Sequence, residues 1–222
     1  FTLRDAGRSP PWRRAGEMSM PGSGLRSMAL VMTGALLVAG GTAVAQDSAA
    51  EHCAAPRKPS PFVRSHREYS LPAVTLRDQA DRPVLMSELQ GASGPLAVNF
   101  IFTTCTTICP VMTATFAQMR RELGPEAESI HLVSITIDPD HDTPAVLAEY
   151  AKRFGAPPGW SFLTGSPEEV ERVLRAFDVL SGSKTSHRPI TLLRRRGGKE
   201  WVRLDGLGSG AALADQARSV LD

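Results

Sequence analysis

The chain has 222 residues, 42% of them hydrophobic, and its 25 Lys and Arg nearly balance 23 Asp and Glu. That balance, and a single basic cluster (Arg194-Arg195-Arg196) without interleaved aromatics, argue against a nucleic-acid partner and read as the solvated turn of a hairpin. Three cysteines, Cys53, Cys105 and Cys109, are too few for a disulfide-stapled scaffold.

Residues 1–27 carry five arginines among Gly, Ser and Pro, and an apolar run follows from Met28 to Ala45. Arg26 ahead of the run and Ala43-Val44-Ala45 at its end form the pattern of a cleaved export signal, with an uncleaved membrane anchor as the alternative. Translation would then begin at Met18 or Met20. Residues 1–45 are thus read as a leader, 46–67 as a Pro-containing linker and 68–222 as one folded domain. Cys53 falls in the linker and is taken as incidental.

The domain opens with a hairpin pattern, Ala73–Leu76 and Val84-Leu85 around the polar turn Asp78-Gln79-Ala80-Asp81. Residues 96–102, almost continuously apolar, predict a strand buried on both faces. Met112, Phe116, Met119 and Leu123 recur at helical spacing up to Gly124-Pro125, so both methionines are assigned to the core. A strand follows at 130–137, then a helix capped by Thr143 with Pro144 at its first position. Residues 160–163 form a short strand, and Ser166-Pro167-Glu168-Glu169 is a capping box opening the next helix. Two strands at 190–193 and 200–204 and a helix at 211–221 close the chain. This alternation predicts a three-layer α/β domain.

The chemistry concentrates between the buried strand and its helix. Pro110 favours the first helical position, which makes Cys109 the expected N-cap and leaves Cys105 upstream in the loop. A helix N-terminus stabilises a thiolate. Two thiolates can cycle through a disulfide or bind a soft metal, and two cysteines plus a histidine are too few for a structural zinc site, which favours copper. The third ligand is open from the residues alone: His187 and His141 both lie in loops, His52 and His66 lie in or near the linker, and His131 opens a strand.

Asn99-Phe100-Ile101-Phe102-Thr103-Thr104-Cys105 through Cys109-Pro110, Ser134-Ile135-Thr136-Ile137-Asp138-Pro139, Asp142-Thr143-Pro144, Leu147 and Tyr150, Gly159-Trp160 and Leu163-Thr164-Gly165 together resemble the Sco/SenC family of exported copper proteins. The resemblance spans about residues 68–215. It implies a thioredoxin-like fold with a central mixed sheet flanked by helices, here with the N-terminal hairpin as an extension. It also implies a copper ion, Cu(I) or Cu(II), held by Cys105, Cys109 and His187, with Asp138 a candidate neighbour of the metal. The implied role is a non-catalytic chaperone that supplies copper to the CuA centre in subunit II of a haem–copper cytochrome c oxidase, or to another copper acceptor, and is served by a thiol reductant. The alternative is a thiol–disulfide oxidoreductase acting on partner cysteines before copper insertion. The implied location is the periplasm, with membrane contact only through a retained leader. Ser186 and Arg188 flank His187 where many members have an acidic residue before it and Ser or Thr after it.

Overall fold

The computed structural model describes residues 60–92, 94–180, 182 and 187–221. The expected leader, Cys53 and the linker up to Pro59 lie outside these residues.

One eight-stranded mixed sheet organises the domain. Its strands are β1 (Val63–Glu68), β2 (Thr75–Asp78), β3 (Pro83–Leu85), β4 (Leu96–Ile101), β5 (His131–Thr136), β6 (Trp160–Thr164), β7 (Ile190–Arg194) and β8 (Glu200–Asp205), in the order β1-β8-β7-β4-β5-β6-β2-β3. Strands β4, β5 and β6 run parallel, and the remaining pairings are antiparallel. The helices are α1 (Met86–Gln90), α2 (Ile108–Leu123), α3 (Pro144–Arg153), α4 (Pro167–Ala176) and α5 (Gly210–Arg218). Alternate residues of β4 feed two cores. Leu96, Val98 and Phe100 face the layer of α1 and α4, while Ala97 and Ile101 face α2, α3 and α5. All six residues of β4 are buried, as the continuous apolar run requires of a strand covered on both sides.

The caps follow the sequence. Thr143 accepts from Val146 N–H, and Ser166 and Glu169 form the reciprocal capping box. The expected hairpin is β2–β3, its turn fixed by Asp78 Oδ1, which accepts from the N–H groups of Ala80 and Arg82 at 2.9 Å each.

Three features differ from expectation. The stretch read as linker contains β1, an edge strand paired with β8; with no face of β1 buried, its sequence carries no apolar alternation to reveal it. The five-residue α1 is too short to show a helical period. Arg194, expected in a solvated turn, is fully buried at the end of β7. Its Nη2 donates to Ala92 O at 3.1 Å and its guanidinium lies 5.3 Å from the Trp201 ring centroid. Burial lowers its pKa to about 10.

On the α4 face, Phe177 packs edge-on against Tyr69, Phe100 and Trp201. Arg203 of β8 donates to the carbonyls of Phe177 and Asp178 at 3.2 and 3.1 Å and pairs with Asp205. The end of α4, from which the chain departs toward His187, is thereby fixed to the sheet. Replacing Phe177, which is 1% exposed, with Ala is expected to cost about 3–5 kcal/mol in urea unfolding, because one ring serves three aromatic partners.

Candidate functional site

Strand β4 ends at Ile101, and a turn closed by Cys105 N–H on Phe102 O (3.2 Å) carries the chain to α2. The helix begins two residues earlier than Pro110 suggested, with Thr107 at the N-cap and Cys109 at its second position. Pro110 is tolerated at the third position because N–H groups of the first turn have no partner within the helix. Cys109 is therefore not the cap. Its own unpaired N–H points at the other sulfur and donates to Cys105 Sγ at 3.4 Å. The Thr107 hydroxyl lies 3.7 Å from the same sulfur.

The two free thiols are electrostatically unlike. Burial works to raise the pKa of Cys105, but hydrogen bonds from the backbone of Cys109 and Thr107 outweigh it and bring the thiol down to about 7. Cys109 is fully buried, and burial, with the neighbouring Cys105 and Asp142, pushes it up to about 12 against a hydrogen bond from the Phe102 backbone. Beneath the pair, the Thr113 hydroxyl donates to Cys109 O at 2.9 Å and lies 3.0 Å from Tyr150 OH, tying the first turn of α2 to α3. Burial likewise raises the Tyr150 phenol to about 12.

His187 is buried where the chain returns to β7, at the end of the sheet from which the cysteine loop departs. Its Nε2–H donates to Phe100 O at 3.2 Å, a carbonyl that can only accept. Burial lowers its pKa below the ordinary value, with the Phe100 contact acting in the opposite sense, so the ring is neutral near pH 7. His141 is exposed in the turn after β5 and lines an open groove with Thr103, Thr104 and Tyr150. His66 is in β1 and pairs with Glu200, and His131 is half-buried. Met112 and Met119 are core residues. Among the described residues, no three Cys, His, Asp or Glu side chains stand close enough together to hold an ion. Cys105 and Cys109 are thus brought together, and His187 lies at the same end of the sheet with its Nε2–H on Phe100 O.

The carboxylate in contact with the cysteine loop is Asp142. It is fully buried and accepts from Thr103 N–H at 3.1 Å, from the Thr103 hydroxyl, and from the Thr136 hydroxyl at 2.6 Å. Asp138, the expected neighbour of the metal, is buried one turn away, and its carbonyl accepts from Asp142 N–H. A signal for Asp142 existed in the sequence: an Asp directly before a Thr-Pro helix start sits where a polar side chain can reach back to the preceding strand.

The sequence profile of the SCO1/SenC family matches residues 66–195, more than half of the chain. The SCO1 protein homolog of Bacillus subtilis is 31% identical over 121 residues, 53% of this chain and 62% of that protein. The chain spans between half and two thirds of the length of the first curated relatives it matches. Among solved structures, Arabidopsis thaliana ScoI with copper bound is 25% identical with a TM-score of 0.56, covering 65% of this chain and 93% of that one. BsSco, a member of the Sco family of cytochrome c oxidase assembly proteins in which a disulfide switch is identified, is 26% identical with a TM-score of 0.56, covering 71% and 96%. The chain belongs to the SCO1/SenC family, and its fold is the thioredoxin-like fold of that family.

The unlike thiols give a direct expectation. In a Cys53→Ser background, the iodoacetamide reaction rate should titrate with a midpoint at about 7, vanish near neutrality when Cys105→Ser is added, and persist when Cys109→Ser is added instead. A Cys109 that alkylates at pH 7 as fast as Cys105 would contradict this electrostatic picture.

Proposed function

We propose that this SCO1/SenC protein binds copper through Cys105, Cys109 and His187, and delivers it during assembly of the CuA centre of a haem–copper cytochrome c oxidase. The observation that carries this reading is the dithiol at the start of α2, one sulfur lowered to about 7 and the other buried beside it, with a neutral imidazole at the same end of the sheet. Thiolates select Cu(I), and a neutral imidazole is the form of histidine that ligates. The donor set therefore fits a soft, low-coordinate ion. Cys105 is about half deprotonated at neutral pH, whereas Cys109 must release its proton as the ion arrives, so uptake weakens as pH falls. With its Nε2–H held by Phe100 O, the neutral His187 ring completes the set through Nδ1.

The likeness to copper-bound ScoI and to an oxidase assembly protein supports copper and the oxidase as cargo and destination. We assign the chain to the exported side of the membrane, in the periplasm or tethered there through its N-terminal segment. A partner's cysteines would accept the ion by exchange, and a thiol reductant would keep the pair reduced between cycles.

The contrast between the two thiols favours a second reading, a thiol–disulfide oxidoreductase. The Cys105 thiolate would attack a partner disulfide and release one partner thiol. Cys109 would then attack the mixed disulfide, releasing the second thiol and leaving Cys105–Cys109 oxidised.

Anaerobic Cu(I) titration of the reduced protein separates the readings. Copper delivery expects one ion per chain, at least about hundredfold weaker binding in Cys105→Ser and Cys109→Ser, and about tenfold or greater weakening in His187→Ala. Indifference to His187, with turnover of a disulfide substrate, would favour the oxidoreductase.

A further inference from the structure

We propose that Asp142 is a positioning residue for the dithiol: its carboxylate fixes Thr103 and, through Thr103, the place of the Cys105 sulfur relative to Cys109. This deepens the reading above and rests on Cys105 and Cys109 acting as a pair.

The geometry runs from a rigid base to a thinly packed segment. Asp142 is rooted by its N–H on Asp138 O (2.9 Å) and precedes Thr143, the cap of α3. Its carboxylate, 0% exposed, takes both donors of Thr103 and the hydroxyl of Thr136, so one side chain joins the cysteine loop, β5 and the start of α3. Thr103 stands two residues past the end of β4. Beyond it, Thr104, Thr106 and Thr107 are exposed and bury little that could hold them. Only residues 104–107 separate Thr103 from the first turn of α2. Pinning Thr103 at one end of that segment and the helix at the other sets where Cys105 falls, and with it the 3.4 Å contact from Cys109 N–H. Removing the carboxylate leaves three donors without their acceptor, two of them in the loop, so the loop should loosen before the sheet does.

The test is the equilibrium between the copper-free dithiol and glutathione disulfide, which yields the protein disulfide and two glutathione thiols. Its constant measures the effective concentration of one sulfur for the other. Asp142→Ala is expected to lower the constant by about threefold to tenfold, and Thr103→Val by less. The double variant should match Asp142→Ala within about twofold, because both changes cut one connection. Thr103→Val keeps the carboxylate, so its effect cannot come from lost charge, and it decides the matter if Asp142→Ala does not fold. Melting temperatures measured alongside separate loss of fold from loss of positioning. Constants unchanged within about twofold in folded variants, or effects that multiply in the double variant, would overturn the proposal. Cu(I) competition on the same proteins keeps the two readings apart. Wild type that takes up no Cu(I) while the glutathione series behaves as expected removes the copper reading and leaves the positioning role, and a flat glutathione series with intact Cu(I) binding does the reverse.

Discussion

The site depends on one hydrogen bond that a helix cannot make for itself. The first turn of α2 has N–H groups without intrahelical acceptors, and that of Cys109 is met by the sulfur of Cys105. The helix is free to choose neither its place nor its direction. It packs on α5 and on the sheet through Phe116, Met119 and Leu123, and the strand that feeds it is buried on both faces. With both ends of the loop fixed, the sulfur lies where positive electrostatic potential is already present. The same winding that turns the Cys109 N–H outward turns its side chain inward, away from water. A lowered thiol and a raised thiol are therefore two consequences of one helix start.

That asymmetry bears on both chemistries a dithiol can perform. For thiol exchange it separates an attacking sulfur from a protected one. For a metal it would be an obstacle if burial were the final word, since Cys109 holds its proton in the apo protein. A soft cation would remove the obstacle by supplying the charge that the apolar surroundings withhold, with a metal–sulfur bond offsetting the deprotonation. Binding and exchange thus draw on the same pair without requiring different structures.

Much of this could be read from the residues because the informative positions obey local rules. The buried strand, the Thr143 and Ser166 caps and the β2–β3 turn each carry a pattern that nearby chain determines. What escaped depends on distant partners. Strand β1 is held by the backbone of β8 and exposes its side chains, so polarity hid it. Arg194 looks like surface charge in sequence, but Trp201 and Ala92 O make it part of the interior. Pro110 was read by its commonest position and occupies another that its missing N–H allows equally well. Asp142 and Asp138 are four residues apart in one acidic turn, and only the direction of the side chain shows that Asp142 is the one that reaches Thr103.

His187 shows how far such reasoning extends. Its burial favours the neutral imidazole, and its Nε2–H donates to Phe100 O. That carbonyl belongs to the strand that leads into the cysteine loop, so the element that delivers the thiols also anchors the ring. Arg203 secures the other side of the approach by gripping the carbonyls of Phe177 and Asp178 at the end of α4. A neutral ring whose Nε2–H is bound to a backbone carbonyl carries its free lone pair on Nδ1, so the Phe100 contact fixes the tautomer as well as the place of the ring. Burial keeps His187 neutral, and that single bond holds it at the end of the sheet from which the cysteine loop departs.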